Sequence, residues 1–237
     1  MSTERDCVLT SNTTRLTGEK VPWRVVALWL SLIISALPAH PNDASMRFHA
    51  LLTPDGVPVA MVNGLAEDTD GAIWAVTWGE GVHRIQGTEW TAYTEEDGLP
   101  DNWVRSICAS SEGGVWIGTG EGIARIHDGK LEALTRDNFP LLKHGEVSFI
   151  KELNDGRIWA GTADGEVLVR EPDSTAGSDL TRGWARFATT EDTGGRVIYQ
   201  ILETGPGELL ISLRDKGLAW IRGDLWESDE LGGADRW

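Results

Sequence analysis

A few side chains in this sequence are of the right type to hold a polar ligand. Trp78 and Glu80, Asn102 and Trp103, Glu121, Asp164 and Arg214 all stand in or beside glycine-containing turns. An indole face stacks on a sugar ring, while carboxylates, an amide and a guanidinium bond its hydroxyls, so the set predicts a small-molecule or carbohydrate ligand. The plainer reading of the same residues is solvated loop charge with two Trp packed against neighbouring elements.

Catalytic chemistry finds less support. Carboxylates such as Glu80 and Glu121 are of the type that hydrolyses glycosides in pairs. No Gly-x-Ser-x-Gly elbow, HExxH pair, phosphate loop or dinucleotide glycine motif accompanies them. His40, His49, His83, His127 and His144 fall at unrelated positions, and no Cys/His cluster has zinc-ligand spacing, so no metal or cofactor is expected. Asp68 and Asp70 precede Gly71 without the closing glutamate of a calcium loop and read as a tight turn. Cys7 and Cys108 cannot make a disulfide framework, and Cys108, in Ser106-Ile107-Cys108-Ala109, reads as a buried inert thiol. No residue is assigned a catalytic role, and the chain reads as a non-enzyme.

The 237 residues carry 21 Lys+Arg against 37 Asp+Glu, a formal net charge of −16. That sign repels phosphate backbones and anionic bilayers, which excludes nucleic acid and a basic membrane-binding face. Residues 1–44 read as a signal peptide or membrane anchor. After Arg24 comes an apolar run from Val25 to Leu37, then Pro38 and Pro41. The run is shorter than the about 20 residues a bilayer span needs and suits an export signal. An exported protein is expected, periplasmic or anchored in the inner membrane facing the periplasm, touching the membrane only through this segment.

The elements that must position the candidate ligand residues come from internal repeats. The 28 Gly and 12 Trp, beside only 2 Tyr and 4 Phe, point to a turn-rich β protein that reuses one Trp position. Trp74, Trp116 and Trp159 each follow a branched residue and a glycine three positions upstream, and Leu210 holds the place in a fourth copy. The period is about 43 residues, with four short alternating strands per unit, which is the signature of a propeller blade. The sequence therefore predicts an all-β fold, a β-propeller of four recognisable four-stranded blades at about 62–103, 104–146, 147–196 and 197–237. Residues 46–53 read as an outer closing strand. The Trp anchors read as packing between blades, and the repeated branched residues Val62, Val104, Val147 and Val197 as strand openings. In aligning the glycine turns, Gly81, Gly122, Gly165 and Gly217 are taken as equivalent. A four-stranded meander puts the loop between its second and third strands at the same end as the loop into the next blade, which gathers the candidate residues at one end.

Three stretches carry a family resemblance: residues 48–56, residues 93–107 with Asp97-Gly98-Leu99-Pro100-Asp101-Asn102-Trp103-Val104 at their centre, and residues 114–126 with Val115-Trp116-Ile117-Gly118-Thr119. They resemble the two-component regulator propeller repeat, over roughly residues 46–227, with the fourth repeat lacking the Trp and the Gly-Thr. The resemblance implies the extracytoplasmic, ligand-sensing propeller of a signal-transduction receptor such as a sensor histidine kinase. Propellers of that family usually have about seven blades, so the resemblance also implies a partial propeller whose output domain is missing from this chain. The alternatives are a stand-alone periplasmic binding or scaffold protein, whose open blades could self-associate, and a propeller lyase or glycoside hydrolase. Sialidase-type propellers place an Asp five residues before the repeat Trp. Here that position holds Thr69, Ser111 or Asn154, with the acid one residue later, which argues against that enzyme class.

Overall fold

The computed structural model describes residues 61–172 and 179–222, with the backbone of 225–227. The leader assigned to 1–44 and the closing strand assigned to 46–53 lie outside the described residues. The first sheet holds β1 (Val62–Glu67), β2 (Ile73–Thr77), β3 (Val82–Gln86) and β4 (Glu89–Tyr93). The second holds β5 (Val104–Ala109), β6 (Val115–Thr119), β7 (Gly122–His127) and β8 (Lys130–Thr135). The third holds β9 (Val147–Glu152), β10 (Ile158–Thr162), β11 (Val167–Arg170) and β12 (Trp184–Ala188). The fourth holds β13 (Ile198–Gly205), β14 (Glu208–Leu213), β15 (Gly217–Arg222) and β16 (Leu225–Glu227). A single 3₁₀ turn (Glu95–Asp97) and a helical turn α1 (Thr190–Thr193) are the remaining regular elements among the described residues.

Each sheet is an antiparallel meander with strands in chain order. First strands lie beside first strands, β1 against β5, β5 against β9 and β9 against β13. No strand of the first sheet pairs with one of the fourth among the described residues, so the four blades form a partial propeller.

Between successive sheets lie three apolar layers. Trp74 with Val76 and Val82 meets Val115, Ile117 and Ala124 of the second sheet. Trp116 and Ile123 meet Ile150, Ile158, Ala160 and Leu168 of the third. Trp159, Val167 and Val169 meet Ile201, Leu209, Ile211 and Ala219 of the fourth. The period-2 alternation of every strand thus serves two layers, one per face. Three guanidinium groups cap the indoles: Arg84 over Trp74 at 5.7 Å, Arg125 over Trp116 at 5.1 Å and Arg157 over Trp159 at 5.4 Å from the ring centroids.

Adjacent sheets approach closely because one member of a recurring cross-strand pair is small. The pairs are Gly64 with Val76, Ser106 with Gly118, Phe149 with Gly161 and Gln200 with Ser212. A Cβ at Gly161 would lie 2.7 Å from Cβ of Ile198, so glycine is required there for the fourth sheet to seat against the third.

Every first strand carries a bulge at its second residue, passing over Asn63, Arg105, Ser148 and Tyr199. Three of these stitch their sheet to the next. Asn63 Nδ2 donates to the carbonyls of Val104 and Arg105, both at 3.0 Å. Arg105 Nη2 pairs with Glu146 at 3.2 Å, and Ser148 Oγ donates to the Ile198 carbonyl at 2.7 Å.

The glycine alignment of the third repeat needs one correction. Thr77 and Thr119 donate from Oγ1 to the carbonyls of Gly81 and Gly122, but Thr162 donates to that of Glu166. Glu166, not Gly165, occupies the glycine position; the third turn has the length of the first, and its glycine stands one residue early.

Candidate functional site

The loops leaving β2, β6, β10 and β14 and those entering β5, β9 and β13 share one end of the blades. The segment into β5 is built on its own hydrogen bonds. Thr94 N donates to Asp97 Oδ2 at 2.9 Å to cap the 3₁₀ turn, and Gly98 closes it at φ 103°. Asn102 then clamps the loop reciprocally. Its Oδ1 accepts from Glu95 N and its own N donates to Glu95 Oε1, both at 3.0 Å. Its backbone carbonyl accepts from Gly79 N at 3.0 Å and Gly81 N at 3.2 Å, tying the first sheet's loop to the second sheet's entry.

This tie brings Trp78 and Trp103 together as an antiparallel bridge. Both stay accessible, at 40% and 51% exposure. The Arg105 guanidinium lies 6.0 Å from the Trp78 ring centroid, and its bond to Glu146 extends the group to the approach of the third sheet. Asp101 fixes Trp103 by accepting from its backbone N at 2.9 Å and fits against Gly120, where a side chain would collide with it. Two indoles, a guanidinium and a carboxylate therefore meet at the junction of the first and second sheets. The arrangement can stack a planar or sugar ring and offer donors and an acceptor to its edge.

The other sequence-predicted residues share this end but belong to separate loops. Glu80 is exposed, with its backbone N held by Thr77 Oγ1 at 3.0 Å. Glu121 is exposed and pairs with Arg136 at 2.9 Å. Asp164 accepts from Thr162 Oγ1 at 2.5 Å and faces His144 Nε2 at 3.3 Å. Arg214 is exposed, and its backbone N donates to the Val197 carbonyl at 2.9 Å. The structure thus joins Trp78, Asn102 and Trp103 and leaves Glu80, Glu121, Asp164 and Arg214 around them.

Sequence reasoning missed Arg105, Glu146 and Glu166. Arg105 looked like an ordinary strand residue; the signal was a charge at the position where its neighbours carry Asn63 and Ser148. Glu166 is buried, with Lys143 Nζ at 3.2 Å and Arg186 Nε at 3.0 Å. Its signal was an acid in a glycine slot.

At the opposite end, a cavity of about 370 Å³ lies between the first and second sheets, with Asp68, Trp74, Glu112 and His127 in its wall. Asp68 Oδ2 accepts from the Trp74 indole at 2.8 Å and Oδ1 from the backbone of Asp70 and Ala72, so this carboxylate closes a turn. Cys108 is a free thiol pushed up to about 12 by burial, which leaves it protonated and unreactive. Among the described residues, no group of three His, Cys, Asp or Glu is placed to hold a metal ion, and no helix is long and apolar enough to cross a membrane.

Residues 98–121, which hold Asn102, Trp103, Arg105 and Glu121, match the family model described as Two component regulator propeller. No curated protein matches the chain. Among solved structures it is similar to the extracellular domain of B. thetaiotaomicron BT4673, described as a hybrid two component system. That likeness has a TM-score of 0.59 and 19% identity over 75% of this chain and 24% of that one. The virginiamycin B lyase of Staphylococcus aureus is similar at a TM-score of 0.53 and 21% identity, over 73% of this chain and 59% of that one. A streptogramin B lyase gives 0.55 and 15%, over 73% and 55%. This chain spans about a quarter of the length of the BT4673 domain, and at these identities the likenesses speak to fold alone. The chain is thus similar to the two component regulator propeller family through residues 98–121, and its fold is that of a partial β-propeller.

Proposed function

We propose that this chain is the ligand-sensing, extracytoplasmic propeller of a two-component or related signal-transduction receptor, with output carried by another part of that receptor. The observation that carries the reading is the match over residues 98–121, which covers the Trp103 side of the accessible Trp78–Trp103 junction, with Asn102 and Arg105. The description of the B. thetaiotaomicron neighbour as an extracellular domain of a two component system points the same way. The ligand is a carbohydrate or similarly hydroxylated small molecule, stacked on the indoles and bonded by Arg105 and the surrounding carboxylates. Its binding acts on packing: Trp78 belongs to the first sheet, Trp103 and Arg105 to the second, and Glu146 leads into the third. A ligand seated on the junction favours one relative setting of three blades over another.

The test is calorimetric titration of the full chain with a panel of neutral mono- and oligosaccharides, alongside Trp78→Ala and Trp103→Ala. Binding that falls at least about tenfold in both variants supports the reading. A panel without binding, or binding that both variants retain, overturns it.

A further inference from the structure

The accessible large apolar side chains of this molecule are not scattered. Setting aside Trp78 and Trp103, those on the described residues lie on the first and fourth sheets and none on the second or third. On the first sheet and its entry they are Met61, Val62, Leu65 and Ile73; on the fourth they are Tyr199, Leu202 and Leu218. Leu65 is 64% and Leu202 51% exposed. Isolated apolar residues on a surface need no explanation, whereas patches confined to two end faces do.

The strand registers show what each face is made for. At all three internal layers, one sheet presents its Trp-bearing column and the next presents an aliphatic column. The aliphatic members are Ile107 and Val115 in the second sheet, Ile150 and Ile158 in the third, Ile201 and Leu209 in the fourth. The equivalent pair in the first sheet is Leu65 and Ile73, and no described sheet covers it. The Trp-bearing column of the fourth sheet is Leu202, Leu210 and Leu218, with the indole shifted to Trp220, and no described sheet covers that either. The bulge column repeats the point: Asn63, Arg105 and Ser148 reach across to the next sheet, while Tyr199 is 55% exposed. One chain therefore carries both halves of an interface it already forms three times.

We propose that two copies of this chain join head to tail. The fourth sheet of each packs on the first sheet of the other, as the third packs on the fourth within a chain. The two contacts are equivalent by a two-fold axis and close a ring of eight blades, within the range of four to eight typical of propellers.

Sedimentation velocity on the full chain at micromolar concentrations tests this with Leu65→Glu, Leu202→Glu and an equimolar mixture of the two. Both positions are more than half exposed, so the folded chain tolerates the charge. The expected result is a dimer for the unaltered chain, at least tenfold weaker association for each variant alone, and partial recovery in the mixture. The mixture associates more strongly than either variant alone but less than the unaltered chain, because one of its two contacts has both surfaces intact and the other carries glutamate on both. A monomer for the unaltered chain, a dimer that survives either variant, a mixture that associates no better than either variant alone, or an open series of larger species overturns the proposal.

Discussion

The second and fourth sheets share strand order and register but differ in their neighbours. In the second, Trp116 is almost wholly buried, edge-on to Trp184 at 5.9 Å, with the guanidinium groups of Arg125 and Arg170 at 5.1 and 5.5 Å. The fourth sheet has Leu210 at that place, half-buried, and puts an indole on the cross-strand partner Trp220, with Arg222 at 5.1 Å. The indole of the fourth sheet thus stands one strand over, at the place Arg125 holds in the second. What differs is whether a sheet lies beyond: an indole sandwiched between two sheets is fixed by both, whereas one at an end face is held from one side.

The largest expected effect tests that difference directly. Trp116→Ala removes an indole from a layer closed on both sides and should cost about 3–5 kcal/mol. Leu210→Ala, in the half-open setting of a chain diluted below its association, should cost about 1 kcal/mol. Urea midpoints of the two variants at that dilution decide the matter; equal losses would mean that the fourth sheet is covered within the separate chain as fully as the second.

Close approach gives a second contrast. Gly161→Ala places a methyl 2.7 Å from Ile198 Cβ, between backbones that cannot both yield. Such overpacking costs about 1–3 kcal/mol. Ser212 holds the same register position in the fourth sheet, and Ser212→Ala should stay within about 0.5 kcal/mol in the chain diluted below its association. A costly Ser212→Ala would show that its face is packed against something.

A third contrast lies inside the blades. The Trp74 indole donates to Asp68, but in the third sheet Leu153 stands at that position and Trp159 Nε1 is buried without a partner. Asp68→Ala would leave the first sheet in the same condition and also remove the side-chain acceptor of two backbone N–H groups in the turn, for about 1–3 kcal/mol in thermal or urea unfolding. A neutral Asp68→Ala would show that the first blade tolerates an orphan indole as readily as the third.

The blades were legible because one packing problem recurs: a bulky anchor, a glycine turn before it and a small residue beside it leave a period in the chain. That the candidate ligand residues gather at one end was legible too, since a meander sends alternate loops the same way. What binds them to each other was not. Asn102 looked like a ligand residue, yet its side-chain carbonyl accepts from the Glu95 backbone and holds the loop. Arg105 looked like a strand residue, yet the bulge turns it toward Trp78 and Glu146. The glycine series misplaced Glu166 because Gly165 stands one residue early in its turn, which is invisible until the backbone bond from Thr162 N to the Glu166 carbonyl fixes the register. Pairings of this kind are set by which sheet lies next to which, and no local pattern encodes them.

The smallest expected effect is the pH dependence of the Asp68 turn. Burial raises the pKa of this carboxyl, but bonds from the Trp74 indole and the Ala72 and Asp70 backbone, with Arg84 nearby, outweigh it and hold the group below its usual range. The unfolded chain therefore takes up this proton first on acidification. The contribution of Asp68 is complete above the unfolded value of about 3.9 and is lost as pH falls through the lower folded value. His83 is held low as well, by burial against the opposing charge of Glu80, but its loss begins as pH falls below about 6.5 and so lies in a higher window. Because acid also relieves the repulsion of a chain at −16, total stability is a poor readout. The difference between the parent and Asp68→Asn removes the shared terms. It should be constant from pH 7 to about pH 5 and shrink below pH 4. A difference that stayed constant through pH 4 and below would leave the Asp68–Trp74 bond without an electrostatic part.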